Sequence, residues 1–282
     1  MSSRRYVVAA LAAALALAPL TACSSSAGSS DKAADNPYKL TTPGTVRVGT
    51  LSDAPPNVYL KDGKFTGFDN DLFNAVAAKA GLKVEYASTD FSALLSQVAN
   101  RKFDVGSSSI TITEARKKTV AFTNGYDFGY FGLDVPAGSP IKSFDQLAGK
   151  RVVVVQGTVQ DDYATKNKLD PVRVPDYNSA LNQLKTGTAE AWISPAEIGE
   201  KSANDSGGKV VLAQKQLSSS PTAFAVALDR PELLGALNKA LDEVITDGTW
   251  TKLQAQYYPG RPIPEGFKPG SGSVAFPPLP AS

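Results

Sequence analysis

The sequence predicts an α/β fold. Between Thr45 and Tyr258, short β-branched runs alternate with stretches of helical apolar spacing. One run, Val152 to Val155, is unbroken valine, the pattern of a strand covered on both faces. The glycine-rich loops that cradle nucleotide phosphates, G-x-G-x-x-G and G-x-x-x-x-G-K-[ST], are missing from the sequence. This alternation does not by itself separate one large sheet from two smaller ones.

The elements follow in order. Val46 to Gly49 reads as a strand, and Val58–Leu60 with Phe65–Thr66 as a hairpin around the Asp62-Gly63 turn. Asp69 or Asn70 is positioned to cap a helix carrying Leu72, Phe73 and Val76 and ended by Gly81. Lys83–Tyr86 is a strand, Phe91–Asn100 a helix with Leu94, Leu95 and Val98 on one face, and Phe103–Ser107 a strand. A second unit begins near Gly132. Its strands are Arg151–Val155, Val172–Val174 and Ala189–Ile193, and its helices cover Asp161–Asn167 and Ser179–Thr186. Thr222–Leu228 is extended. Pro231–Asp247 is a long helix with Leu233, Leu237, Leu241, Val244 and Ile245 inside, followed by a short helix over Trp250–Tyr258.

Composition narrows the chemistry. Apolar residues make up 42% and charged residues 20%, which supports a packed core and excludes wholesale disorder. Basic and acidic residues number 29 and 27; Arg4 and Arg5 account for the excess, so the remainder is neutral and offers no basic face for nucleic acid. Histidine is absent, which excludes imidazole-based triads and metal sites. A single cysteine, Cys23, excludes an intrachain disulfide and a cysteine zinc site. No cofactor is expected.

The ends read differently from the middle. Residues 1–22 have the make-up of a secretory signal: Arg4 and Arg5, then an apolar run from Val7 to Leu17 too short to span a bilayer. Leu20-Thr21-Ala22-Cys23 resembles the bacterial lipobox, in which the signal is cut before a cysteine that carries diacylglycerol. At about 0.8 kcal/mol per buried CH₂, two or more acyl chains anchor a protein stably. Residues 23–36 are small and polar, as in a flexible tether. Residues 261–282, rich in Pro, Gly and Ser, are expected to form a poorly ordered tail or a strap over the surface.

A set of segments in the middle is more specific. It comprises Val46-Arg47-Val48-Gly49-Thr50, Gly67-Phe68-Asp69-Asn70-Asp71-Leu72, Asp90-Phe91-Ser92-Ala93-Leu94 and Phe103-Asp104-Val105-Gly106. It continues with Ser109-Ile110-Thr111-Ile112-Thr113-Glu114-Ala115-Arg116, Leu147-Ala148-Gly149-Lys150-Arg151-Val152, Gln156-Gly157-Thr158 and Asp247-Gly248-Thr249-Trp250. In this order and spacing the chain resembles the family 3 solute-binding proteins of ABC importers, which bind polar amino acids and related compounds. The resemblance implies a two-lobed periplasmic-binding-protein-like clamshell of type II, each lobe a mixed sheet flanked by helices. Lobe 1 would take residues 37–130 and 222–260, and lobe 2 residues 131–221. Two extended crossovers, near Gly129–Leu133 and Pro221–Phe224, would form the hinge.

Candidate ligand-binding residues follow from chemistry and resemblance together. Arg116 lies three residues after Thr113, a plausible helix N-cap, and its planar guanidinium suits a carboxylate. The resemblance assigns this arginine to the ligand's α-carboxylate. Ser108, Ser109 and Thr111, after a strand, offer hydroxyl and backbone donors. Thr158, with Gln160 behind it, starts a helix whose N–H groups favour an anion. The resemblance makes Phe91 an aromatic packed on the ligand's side chain, whereas Trp192 reads as core. Three positions depart from the family pattern. The aspartate that pairs with the ligand's ammonium aligns with Pro195, and the first loop has Leu51 and Ala54 where an acid and an aromatic are usual. Asp53 and Glu197 are nearby acids that could substitute. The expected function is a monomeric, lipid-anchored protein on the outer face of the cell membrane. It would deliver a carboxylate-bearing solute to ABC permease subunits and bind no nucleic acid. Two alternatives share the fold: a dehydratase-like enzyme using Asp53, Glu197 or tyrosines, and a ligand-sensing partner of a receptor.

Overall fold

Thr45–Thr50 (TVRVGT) forms the first strand, β1, with Val46 and Val48 buried on one face. A small three-stranded sheet follows, made of β2 (Asp53–Ala54), β3 (Val58–Lys61) and β4 (Lys64–Thr66). Helix α1 (Phe68–Lys79) then returns the chain to β5 (Lys83–Ser88), which lies parallel to β1. After α2 (Phe91–Ala99) come β6 (Val105–Thr111), the short α3 (Glu114–Lys117) and β7 (Val120–Phe122). The computed structural model describes residues 36–218 and 220–270. The expected signal sequence, Cys23, the tether up to residue 35 and the tail beyond residue 270 lie outside the described residues.

The chain then crosses into a second sheet. It runs through β8 (Tyr130–Pro136), a 3₁₀ turn (Phe144–Leu147), β9 (Val152–Val155), α4 (Val159–Lys166) and β10 (Val172–Val174). It continues with α5 (Tyr177–Lys185), β11 (Ala191–Pro195), α6 (Ala196–Asp205) and β12 (Val210–Leu217). It returns as β13 (Thr222–Ala227), α7 (Pro231–Thr246) and α8 (Thr249–Tyr257). The strand orders are β5-β1-β6-β13-β7 and β10-β9-β11-β8-β12, so each lobe has a five-stranded mixed sheet. The crossovers pair with each other: the Tyr126 N–H donates to the Thr222 carbonyl at 3.0 Å and the Thr222 N–H to the Asp127 carbonyl at 2.9 Å.

Burial explains the sequence pattern. In β9, Val152 and Val154 join a cluster with Leu133, Leu147 and Ile193, while Val153 and Val155 face Trp192 and Tyr177 on the opposite side. In the first lobe, Phe68, Leu72, Phe73 and Val76 of α1 pack with Leu233, Leu237, Leu241 and Val244 of α7 and with Trp250 of α8. The lobes touch across the cleft, where the Asn178 N–H donates to the Asp53 carboxylate at 3.0 Å.

Several expectations need correcting. Asp69 and Asn70 do not cap α1. The cap is Gly67 at φ 111, and Asp69 and Asn70 sit buried in the first turn. The loop before the helix takes the orphan donors instead, with the Phe68 N–H bonded to the Pro56 carbonyl and that of Asp69 to the Asn57 carbonyl, each at 3.0 Å. The strand expected at Phe103–Ser107 is β6, which runs on to Thr111, so Ser109 and Thr111 belong to the strand. Its pairing with β13 slips between Gly106 and Ile110, and Ser109 adopts φ 45 in that irregularity. β2, β7, the 3₁₀ turn, α6 and β12 have no counterpart among the elements expected from sequence. Residues 261–270 form a strap on the first lobe: the Phe267 ring lies 4.9 Å from Phe128, and the Gly270 N–H reaches the Gly125 carbonyl at 2.8 Å.

Candidate functional site

A cavity lies between the lobes, and most of the residues singled out from sequence meet on its wall. Arg116, Ser108, Ser109, Thr111, Phe91, Thr158 and Gln160 all line it. They come from α2, β6 and α3 of one lobe and from the β9–α4 turn and α4 of the other.

Arg116 is held from behind. Thr113 caps α3 by accepting the Arg116 N–H at 3.2 Å, which fixes where the side chain starts. The guanidinium donates through Nη1 to the Thr111 carbonyl at 2.8 Å and through Nη2 to the Gly157 carbonyl of the other lobe at 2.9 Å. It lies 5.2 Å above the Phe91 ring. Phe91 therefore packs on the guanidinium as well as lining the cavity. Burial lowers the Arg116 pKa, with the negative charge of Asp162 opposing. Both hydrogen-bond acceptors are neutral, and Asp162 makes no ion pair with Arg116. Among the described residues the cation has thus been desolvated without an ion-pair partner, which favours an incoming anion.

The serine side is tightly wired. Ser109 donates to the Asp69 carboxylate at 2.5 Å and accepts from Asn57 Nδ2 at 2.7 Å. Burial pushes the Asp69 carboxyl up to about 7, with the hydrogen bond from Ser109 pulling the other way. Thr158 caps α4: its hydroxyl donates to the Val155 carbonyl at 2.7 Å and accepts from the Asp161 N–H at 3.2 Å. Asp53, a suggested substitute acid, is not on the cavity wall; its carboxylate caps the start of α5 through Asn178, beside a separate opening. Leu51 is buried in the core, while Ala54 and Pro195 do face the cavity.

Residues 46–260 match the model of the bacterial extracellular solute-binding proteins, family 3. The chain belongs to this family. Among family 3 relatives, the probable amino-acid-binding protein YxeM of Bacillus subtilis (strain 168) is 30% identical over 92% of this chain and 96% of its own length. The lysine/arginine/ornithine-binding periplasmic protein of Escherichia coli (strain K12) is 31% identical over 77% of this chain and 88% of its own. An ancestral arginine-binding protein, solved bound to arginine and bound to glutamine, superposes with TM-scores of 0.73 and 0.74. It is 32% identical, and the matches cover 76% and 77% of this chain and 98% and 99% of that one. The family 3 fold here is the two-lobed one of these amino-acid-binding proteins. These relatives are named as binding proteins, and the family to which this chain belongs is one of solute-binding proteins.

Sequence reasoning missed part of this family 3 site. Asn57, Asp127, Tyr130, Tyr177 and Thr222 also line the cavity. Asn57 is brought in by the loop that caps α1, and Asp127 and Thr222 by the paired crossovers, so their placement depends on tertiary contacts that no local spacing encodes. Glu197, expected from sequence as a substitute acid and as a candidate group of the enzyme alternative, lies on the wall in the first turn of α6. Arg261 stands behind it, beyond the cavity.

Proposed function

We propose that this chain is the solute-capturing component of an ABC importer. It takes an amino acid or closely related carboxylate between its lobes and is held at the outer face of the membrane by lipid on Cys23. The observation that carries the binding reading is Arg116: a buried guanidinium on the cavity wall, bonded to one carbonyl from each lobe and without an ion-pair partner among the described residues. A bidentate carboxylate supplies the missing charge and adds charge-assisted hydrogen bonds. Because the guanidinium reaches both lobes, a ligand bound there stabilises their apposition, and only that differential affinity shifts the equilibrium between open and closed forms. Lining by Phe91, Tyr130 and Tyr177 beside a few polar groups is the usual make-up of a small-molecule pocket. Delivery to permease subunits, the extracytoplasmic location and the lipobox at Leu20–Cys23 rest on the family and on the sequence.

The test is a thermal-shift panel of the twenty standard L-amino acids with ornithine and citrulline, followed by calorimetry on the tightest binder and its carboxamide. Arg116→Ala is expected to weaken binding by about 3 kcal/mol or more, since it leaves a carboxylate buried without its cation. An amide that binds as well as the acid would remove Arg116 from the carboxylate role. For the anchor, Cys23→Ala is expected to move the protein out of the membrane fraction; retention there, with the signal cleaved, would refute lipidation.

A further inference from the structure

One contact between the lobes stands outside the cavity. Asp53, on β2 of the first lobe, is half-buried, and its Oδ2 accepts the Asn178 N–H of the second lobe at 3.0 Å. The flanking residues face a different space. Ala54 and Tyr177 line the inter-lobe cavity, while Asp53 and Asn178 line the opening beside it. The bond therefore lies on the rim of the cavity, one residue away from its wall on each lobe.

Asn178 is the second residue of α5, so its N–H has no acceptor within the helix. The helix's own cap, Asp176, is occupied elsewhere: its Oδ1 accepts the Ser179 N–H at 2.7 Å. Two carboxylates thus meet at the start of α5, where the helix dipole favours negative charge. Asp176 is fixed there by the chain, whereas Asp53 arrives only when the lobes meet. Burial raises the Asp53 pKa, the Asn178 N–H pulls it back, and the charge of Asp176 adds to the rise. The other polar contacts between the lobes differ in kind. Arg116 reaches Gly157 from the cavity wall, where a bound carboxylate competes for the same guanidinium, and Arg261 faces Glu197 only at 3.6 Å.

We propose that Asp53 is a closure latch, a positioning residue that docks the first lobe on the N-terminus of α5 and raises the closed fraction whatever the solute. It sets affinity without touching the ligand. The affinity part rests on reading the inter-lobe cavity as the amino-acid site. Apparent affinity scales with the fraction of protein in the binding-competent form. Loss of the latch therefore weakens every ligand by one common factor, whereas loss of a ligand contact weakens only the ligands that use it.

The test compares wild type, Asp53→Ala and Asp53→Asn. Single-molecule FRET between dyes carried at positions 64 and 166, both exposed and one on each lobe, reads the closed fraction of solute-free protein. Calorimetry reads the affinities of L-arginine and L-glutamine. Asp53→Ala is expected to lower the closed fraction, by at most the roughly three- to tenfold worth of a charge-assisted bond at an exposed helix start. Both affinities should fall by the same factor as the closed fraction. Asp53→Asn, which keeps an acceptor oxygen, should lose less. An unchanged closed fraction overturns the latch, as does a lowered one with unchanged affinities. Losses that differ more than threefold between the two probes mark a ligand contact and overturn it as well. Should Asp53→Ala fail to fold, Asp53→Asn is judged by the same outcomes. If wild type binds neither probe, the amino-acid reading fails, and the closed fraction alone decides the latch.

Discussion

Asp104 and Arg230 form a buried ion pair whose residues are 1% and 3% exposed. The carboxylate also accepts the Arg47 N–H at 2.9 Å, so a residue between α2 and β6 is tied both to β1 and to the start of α7. Removing one partner strands a charge in the core. Arg230→Met is expected to cost about 3 to 5 kcal/mol by urea denaturation, and a loss below about 1 kcal/mol would show that the pair is not needed for stability. Gly67 makes a different demand. At φ 111 an L side chain is strained, and a Cβ there would stand 2.3 Å from the Asn57 carbonyl oxygen. Gly67→Ala should therefore destabilise by about 3 kcal/mol. It should also weaken ligand binding, since Asn57 would be displaced from the cavity wall; unchanged stability would mean that the loop yields freely.

Among the elements, the strap over residues 261–270 packs Phe267 against Phe128 and 6.4 Å from Trp250, and its Arg261 pairs with Asp127 at 2.6 Å. Phe267→Ala is expected to destabilise the first lobe by about 3 kcal/mol, lowering the thermal midpoint; a wild-type midpoint would make the strap an ornament. This segment also shows where local pattern stops being informative. Pro, Gly and Ser give residues 261–282 no period, and a single aromatic entering a lobe's core, as Phe267 does, has no periodic signal. Elements with a strong period were legible: the valines of β9 and the leucines of α7 announce both type and facing because burial repeats along them. In α6, by contrast, buried residues are confined to the first turn, Ala196 to Gly199, so burial does not repeat along it. The binding wall divides the same way. Arg116, Ser109 and Thr111 sit in one recognisable motif, whereas Asn57, Asp127 and Thr222 are gathered from loops separated by long stretches of chain.

For the molecule as a whole, buried acids set the response to pH. Burial pushes Asp69 and Asp134 each up to about 7 from an ordinary value of 3.8. Between about pH 4 and 7 the native state therefore holds protons that the unfolded chain releases, so stability falls as pH rises through that window. Each group contributes a slope of at most about 1.4 kcal/mol per pH unit. Asp247, lowered to about 2 by Lys79 and Thr249, acts in the opposite sense, losing its contribution only as pH falls toward that value. The protein is expected to melt at a higher temperature at pH 5 than at pH 7.5, and Asp134→Asn should flatten the difference. A midpoint that rises steadily from pH 5 to 7.5 would contradict this account.

The paired crossovers have a mechanical consequence. Two hydrogen bonds between Tyr126–Asp127 and Thr222 staple the connecting segments side by side, so the axis joining the lobes is only one strand pair wide. About a fulcrum that narrow, a given change in cleft angle moves each point in proportion to its distance from the axis. Atoms at the fulcrum hardly travel, while the outer rims of the lobes sweep the longest arc. A protein docking on both rims could read occupancy as a change in their spacing without touching the solute.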